Sequence, residues 1–243
     1  MLPLFDSDLP RRRFPIITIC LIAISALVFL YALKLGSADR TIFYFKYGLI
    51  PWELTNGQDL LGFAVKPGDI DTPFSNWVTI FTSMFIHGDW LHFVGNMLFL
   101  WVFGRNIEDR FGPALFLLFY LVTGLAATWM QIAIDTQSDV PLIGASGAIA
   151  GVLGAYLLLY PYNRITTVVI FFLITVIRVP VVYLLGFWLF LQFVGSVGTL
   201  APSAQIGGIA YWAHIGGFAA GALIVTLYRL ASHEPLWPRR RWF

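Results

Sequence analysis

The chain has 243 residues, of which 58% are hydrophobic and only 12% are charged, and its mean hydropathy is +0.78. Because a soluble domain carries about 25% charged residues, this composition excludes an ordinary soluble globular protein and predicts an integral membrane protein. The length suits one compact bundle of about six membrane spans, without a second large domain. The net charge of +2 is small, and the single cysteine, Cys20, excludes an internal disulfide.

Six spans are predicted from the lengths of the apolar runs and from the Gly, Pro, charged and capping residues at their ends. The first span covers residues 14–34 and is followed by a long outer loop, 36–88. Asp89 is placed to cap the second span, and Pro180 to occupy the first turn of the fifth. The second to sixth spans are predicted at residues 89–104, 111–134, 141–161, 179–197 and 206–229.

Two apolar runs are too short to cross a bilayer. Residues 76–88 are predicted to lie in the membrane interface just before the second span. Residues 165–177 lie between Arg164 and Arg178, which favours an interfacial or re-entrant piece on the arginine-rich face. If this second run did span, the protein would have seven helices and the C-terminus would change sides.

The basic residues predict the orientation of the bundle. With six spans, eleven of the fifteen Lys and Arg residues fall on one face, and the positive-inside rule then places both termini in the cytoplasm. The predicted regions are an N-terminal cytoplasmic tail (1–13), a six-helix membrane domain (14–229) and a basic cytoplasmic tail (230–243). The basic tail is predicted to bind anionic lipid headgroups and no nucleic acid.

Four polar side chains within the predicted spans are candidates for function, because polar groups in a membrane are costly. They are His92, Asn96, Ser146 and His214. Taken singly, each has a structural interpretation as a hydrogen-bonding group between helices.

Their depths favour a shared site. At 1.5 Å per residue, Ser146 and His214 lie about 25 and 22 Å from the cytoplasmic ends of their spans. His92 and Asn96 lie about 4 and 10 Å below the outer end of the second span. In a hydrocarbon core about 30 Å thick, all four therefore share one outer layer.

Small residues at helical spacing line one face of the fourth span and one face of the sixth. Such faces let helix backbones approach closely, which would bring Ser146 toward His214. The faces include Gly147, Gly151, Gly154, Gly217 and Gly221.

These residue types suit acyl transfer. A serine becomes an effective nucleophile when a histidine takes its proton, and a developing oxyanion needs hydrogen-bond donors. His92, Asn96 and the backbone N–H groups at the start of the fourth span, including that of Ser146, can supply those donors. Because no acidic residue lies within the spans, we expect a Ser–His dyad without a third member.

No metal or other cofactor is expected. His87 and His92 are five residues apart, which does not match the HExxH zinc motif, and no carboxylate lies within a span.

Three segments together resemble the rhomboid family of intramembrane serine proteases. They are "HGDWLHFVGNMLFLWVFGRNIEDRFG" (87–112), "GASGAIAGVLGAY" (144–156) and "AHIGGFAAG" (213–221). The resemblance covers about residues 14–229 and implies an all-α, six-helix rhomboid-like bundle. The implied site has Ser146 as nucleophile, His214 as general base, His92, Asn96 and the Ser146 backbone as oxyanion donors, and Gly144, Gly147 and His87 in supporting positions.

The family implies substrates that are transmembrane segments of other proteins, cut near the outer face. Span five and the loop 196–208 are implied to control access to the site. One position departs from the pattern: some rhomboids carry an aromatic ring four residues after the serine, where this chain has Ala150. Another group must then orient His214, and Tyr211, one turn earlier, is a candidate.

A non-catalytic rhomboid-like factor that binds membrane proteins for quality control is the alternative function. Such relatives typically lack the serine or the histidine, and this chain has both. A prokaryotic plasma (inner) membrane is the expected location. The natural substrate, the cleavage site and the oligomeric state are not predicted.

Overall fold

A computed structural model describes residues 2–6, 8, 13–58, 73–170, 174–198 and 209–238. Helices make up most of this part of the chain, as the composition predicts. Their bounds are α1 Ile16–Lys34, α2 Ser37–Tyr47, α3 Pro51–Asn56, α4 Thr79–Thr82, α5 Trp90–Phe99, α6 Arg105–Phe111, α7 Pro113–Ile134, α8 Ser146–Leu159, α9 Val181–Gly198 and α10 Tyr211–Ala231.

Four of the described helices are long and apolar enough to cross a membrane, namely α1, α7, α9 and α10. Helix α8 is apolar but has only 14 residues. Helices α5 and α6 are joined by a π-helical turn, Leu100–Gly104, so that they follow each other without a break. These elements confirm a helical membrane bundle, and the count of six spans stays a prediction.

Two predicted helix starts are confirmed. The Asp89 carboxylate accepts a hydrogen bond from the backbone N–H of His92 at 2.9 Å and caps α5. Ser146 is the first residue of α8. The prediction for Pro180 is wrong: it ends a strand, opposite Arg164, and α9 begins one residue later.

The outer loop contains short helices. Between α2 and α5 the described residues form α3 and then two 3-10 turns, Asn76–Val78 and Ser83–Phe85, on either side of α4. Segment 76–88 is therefore a run of single helical turns, which agrees with its being too short to cross.

The structure contains a three-stranded antiparallel sheet, although no strand was predicted from the sequence. Strands β1 Leu2–Asp6, β2 Arg164–Ile170 and β3 Ile174–Pro180 pair in the order β1-β2-β3. The described part of run 165–177 therefore forms strands, and the seven-helix alternative is wrong. The physical reason is composition, because β-branched Ile, Thr and Val dominate β2 and β3 and favour extended backbone.

Strand β1 also changes the interpretation of residues 1–13 as a simple tail. Asp6 is buried and accepts hydrogen bonds from the Asn106 amide at 3.0 Å and the Asn163 amide at 3.3 Å. The Tyr156 hydroxyl donates a third, short hydrogen bond to the same carboxylate oxygen. This chain end is therefore tied to helices α6 and α8.

Helix α8 forms the centre of the bundle, with a continuously buried stretch from Ala148 to Tyr156. A Cβ atom built on Gly217 or Gly221 would overlap the backbone oxygen of Gly147 or Gly151, respectively. The backbones of α8 and α10 are thus in direct contact. This confirms the predicted close approach of the two small-residue faces.

Candidate active site

The backbone before α8 sets the position of Ser146. Gly144 has a φ of +121°, a conformation that other residues rarely adopt. Its N–H donates to the backbone oxygen of Ser83 at 2.9 Å, which ties this turn to the segment before α5. The chain then enters α8 with Ser146 at the end of the helix where backbone N–H groups are free of intrahelical partners.

Ser146 and His214 meet across two helices. The Ser146 Oγ and His214 Nε2 atoms are 2.7 Å apart, although the residues are 68 positions apart in the chain. His214 lies in the first turn of α10, and the glycine contacts between α8 and α10 hold the two helix starts together. The arrangement can pass a proton from the hydroxyl to the imidazole.

The second ring nitrogen of His214, Nδ1, is at hydrogen-bond distance from Gln192, a residue that was not predicted from the sequence to belong to the site. His214 Nδ1 is 2.7 Å from Gln192 Oε1, and the Gln192 side chain is buried. The indole of Trp188, one turn earlier on α9, has its centroid 5.8 Å from the imidazole centroid. Gln192 is a lone amide within the apolar segment 186–193, and a polar side chain in such a span is itself a signal of function.

His92 lies next to Gly144, close to the Ser146 hydroxyl. A Cβ atom on Gly144 would lie 2.6 Å from His92 Nε2 and 3.8 Å from Ser146 Oγ. The Gly88 N–H points to His92 Nδ1 at 3.5 Å, so that Nε2 is the nitrogen facing the serine. A glycine at position 144 leaves open the space between the imidazole and the hydroxyl.

Asn96 is buried one turn below His92, and its amide donates to the His92 backbone oxygen at 2.9 Å. Its described hydrogen bond is therefore within its own helix. The arrangement leaves a second amide proton on Asn96 for another acceptor.

His87 lies behind His92 and is completely buried. Its ring centroid is 5.1 Å from that of His92 and 5.6 Å from that of Phe93. It belongs to the loop before α5, where burial lowers its pKa to about 4. The charge of His92 acts in the same direction.

The remaining predicted positions have packing roles. A Cβ atom on Gly147 would lie 2.6 Å from Ala127 Cβ, and Ala150 is fully buried. The Tyr211 ring packs against Gly195 of α9, whereas the described hydrogen-bond partners of the His214 side chain are Ser146 on α8 and Gln192 on α9. Of the predicted access loop 196–208, residues 199–208 lie outside the described residues.

No group of three or more His, Cys, Asp or Glu side chains among the described residues is placed to hold a metal ion.

The long apolar helices and the buried polar cluster at the start of α8 define a helical integral membrane protein with a polar site inside the bundle. The family model described as the Rhomboid domain matches residues 75–231, which is more than half of the chain. The protein therefore belongs to the rhomboid family.

Curated relatives agree with this assignment. The chain is 34% identical over 173 residues to Rhomboid protease GluP of Bacillus subtilis, covering 70% of this chain and 30% of that protein. It is 31% identical over 152 residues to Rhomboid protein 1, mitochondrial, of Saccharomyces cerevisiae, covering 60% and 40%. It is 27% identical over 175 residues to Rhomboid protease AarA of Providencia stuartii, covering 65% and 58%. The chain thus spans less than two thirds of the length of each of these relatives.

Proposed function

We propose that this protein is an intramembrane serine endopeptidase that cleaves transmembrane segments of other membrane proteins. The 2.7 Å distance between Ser146 Oγ and His214 Nε2, across two different helices, is the observation that carries the proposal. Family membership and relatives named as rhomboid proteases support the same reaction class.

In the proposed reaction, His214 Nε2 takes the hydroxyl proton while Ser146 Oγ attacks the carbonyl carbon of the scissile peptide bond. The backbone N–H of Ser146 and the side chains of His92 and Asn96 stabilise the resulting oxyanion. Collapse of the tetrahedral intermediate breaks the C–N bond, and His214 returns the proton to the leaving amine. A water molecule then hydrolyses the acyl-enzyme with His214 again as base.

The depth proposed for the site follows from the positions of these residues along their predicted spans. The site would lie in the outer layer of a plasma membrane of prokaryotic type, with both termini in the cytoplasm. The proposed regions remain the N-terminal segment 1–13, the six-span membrane domain 14–229 and the basic segment 230–243. Bilayer lipid and single-span substrates are the proposed partners.

Cleavage of a single-span substrate in liposomes tests the proposal. Ser146→Ala and His214→Ala should each abolish cleavage, because each removes one member of the proton-transfer pair. Ser232→Ala and His233→Ala change the same residue types at exposed positions outside the helices and should cleave like the wild type. Cleavage that persists in Ser146→Ala would rule out this nucleophile.

The same experiment separates the non-catalytic alternative. A protein that only binds membrane spans would retain substrate in a pull-down from liposomes and show no cleavage in the wild type. In that case Ser146→Ala would bind the substrate as the wild type does, and neither protein would cleave it.

A further inference from the structure

We infer that Gln192 is a positioning residue that holds His214 in the tautomer needed to accept the Ser146 proton. This inference rests on the proposed function, since it assigns a role within the same site. It also proposes how His214 is oriented in a chain with Ala150 at the position where some rhomboids carry an aromatic ring.

The hydrogen bonds around Gln192 have a defined direction. Its Nε2 donates to the Trp188 backbone oxygen at 3.1 Å, while its Oε1 is 2.7 Å from His214 Nδ1. A reversed amide would place its oxygen against the carbonyl oxygen of Trp188 and lose that bond. The amide oxygen therefore faces the imidazole, and His214 Nδ1 must be the protonated, donating nitrogen.

The tautomer of His214 follows from that bond. A neutral imidazole has one N–H group, so a proton on Nδ1 leaves Nε2 as an acceptor. Nε2 is the nitrogen 2.7 Å from Ser146 Oγ. The chain of bonds from Ser146 through His214 and Gln192 to Trp188 thus runs in one direction and prepares the base to accept a proton.

Helix α9 also supplies an aromatic contact to the base. Trp188 and Gln192 are one turn apart and share a face of α9. The Trp188 ring lies 5.8 Å from the His214 ring and 6.2 Å from the Phe218 ring, with interplanar angles of 38° and 30°. The indole therefore lies over two successive turns of α10 and limits the rotation of His214.

An amide suits this position in a membrane. A carboxylate would hold the ring through the same nitrogen but would add a buried charge, which is costly in a dry interior. A neutral acceptor selects the tautomer without that cost. Glutamate at position 192 would carry that cost but retains the acceptor oxygen, which makes it the conservative variant for a test of the hydrogen bond.

Gln192→Met tests the inference, since methionine has a similar length and no strong acceptor. Without the acceptor, part of the His214 population carries its proton on Nε2 and cannot serve as base. We expect kcat to fall about 10–100-fold with KM changed less than about twofold. Gln192→Glu should restore at least a tenth of the wild-type kcat. Leu191→Met, at the neighbouring exposed position of α9, should cleave like the wild type.

A spectroscopic measurement on the wild type keeps the test independent of how the variants fold. The ¹⁵N chemical shifts of the His214 ring, assigned with His214→Ala, should show a protonated Nδ1 and an unprotonated Nε2. A proton on Nε2, or an unchanged kcat in Gln192→Met, would overturn the inference while leaving the proposed function intact. Cleavage by Ser146→Ala would instead overturn the proposed function.

Discussion

Among the residues of the proposed site, Asn96 is placed less directly for its proposed role as an oxyanion donor than Ser146 and His214 are for proton transfer. Ser146 and His214 are at hydrogen-bond distance, whereas the Asn96 amide is bonded to the backbone of His92. In apo structures, catalytic hydrogen bonds are often completed only when the substrate is bound. Asn96 has a second amide proton that can serve a developing oxyanion in that complex.

Asn96→Ala tests this role. Removal of one oxyanion donor should lower kcat by about 10–1000-fold and leave substrate binding nearly unchanged, because the bond forms only in the transition state. Steady-state cleavage in liposomes measures both constants. Asn56→Ala, at an exposed position of the outer loop, is the control. An unchanged kcat in Asn96→Ala would refute the role.

Gly144→Ala should impair the site for two reasons. The φ of +121° is unfavourable for alanine, and its Cβ would lie 2.6 Å from His92 Nε2. We expect cleavage to fall at least about 10-fold. Gly95→Ala, on the same helix as His92, places a Cβ where no atom lies within 4 Å and should retain activity. Equal cleavage by Gly144→Ala and Gly95→Ala would show that the open space between His92 and Ser146 is not needed for activity.

His87 makes the fold sensitive to acid. Its folded-state pKa of about 4 lies below its ordinary value of 6.5, so that the unfolded chain binds the proton more readily. Its contribution to stability is fully present above pH 6.5 and decreases as the pH falls toward 4. Thermal unfolding in detergent should therefore show a larger fall in Tm over this range for the wild type than for His87→Asn. Parallel curves for the two proteins would exclude the effect.

At the scale of elements, the contact between α8 and α10 determines the distance between Ser146 and His214, the two residues of the proposed dyad. Glycines at the crossing let the two backbones touch, and this places the first turn of α10 beside the first residue of α8. A larger residue at the crossing would separate the helices and thereby Ser146 from His214. Stability and activity are therefore linked through the same glycines.

Gly221→Ala tests this link. Its Cβ would overlap the backbone oxygen of Gly151, so we expect a loss of about 1–3 kcal/mol in the free energy of unfolding. This corresponds to a fall of about 2–4 °C in Tm per kcal/mol, measurable by thermal unfolding in detergent. Gly186→Ala, on α9, meets no atom within 4 Å and should leave Tm nearly unchanged. Equal Tm values for the two variants would mean that α8 and α10 are not tightly packed.

At the scale of the whole molecule, the order of the helices and strands determines which residues lie at the same end of the bundle. Strand β2 follows α8 and β3 leads directly into α9, so the sheet lies at the end of the bundle opposite Ser146. Strand β1 pairs with β2, and Asp6 bonds to Tyr156 ten residues below Ser146. Strands β1, β2 and β3 therefore belong to the end that the positive-inside rule assigns to the cytoplasm.

A topology reporter fused after Phe243 should read cytoplasmic, because β2 and β3 do not add a seventh span and the positive-inside rule places the arginine-rich face of the predicted six-span bundle in the cytoplasm. A second fusion in the outer loop, after Gly57, should read outside and serves as the matched control. Both reporters on the same side would contradict six spans.

Much of the helical bundle was predictable, because long apolar runs and their caps depend on local chemistry. Asp89 and Ser146 are examples, since a capping side chain and a helix start are set within a few residues of chain. The approach of α8 to α10 was also predictable, because glycines at helical spacing leave only backbone at the contact.

Other features were decided only by tertiary structure. The sheet depends on β1 pairing with β2 across more than 150 residues, and local apolarity in 165–177 is compatible with strand or helix. The contact of His214 Nδ1 with Gln192 Oε1 is also a tertiary feature, because Gln192 reaches the imidazole from a different helix. By itself the sequence determined that the chain forms an apolar helical bundle, and it predicted which polar residues form the proposed site and at what depth. Only the packing of α9 against α10 decided that Gln192 Oε1 lies at hydrogen-bond distance from His214 Nδ1, because a hydrogen bond between helices depends on their relative position and not on spacing within either one.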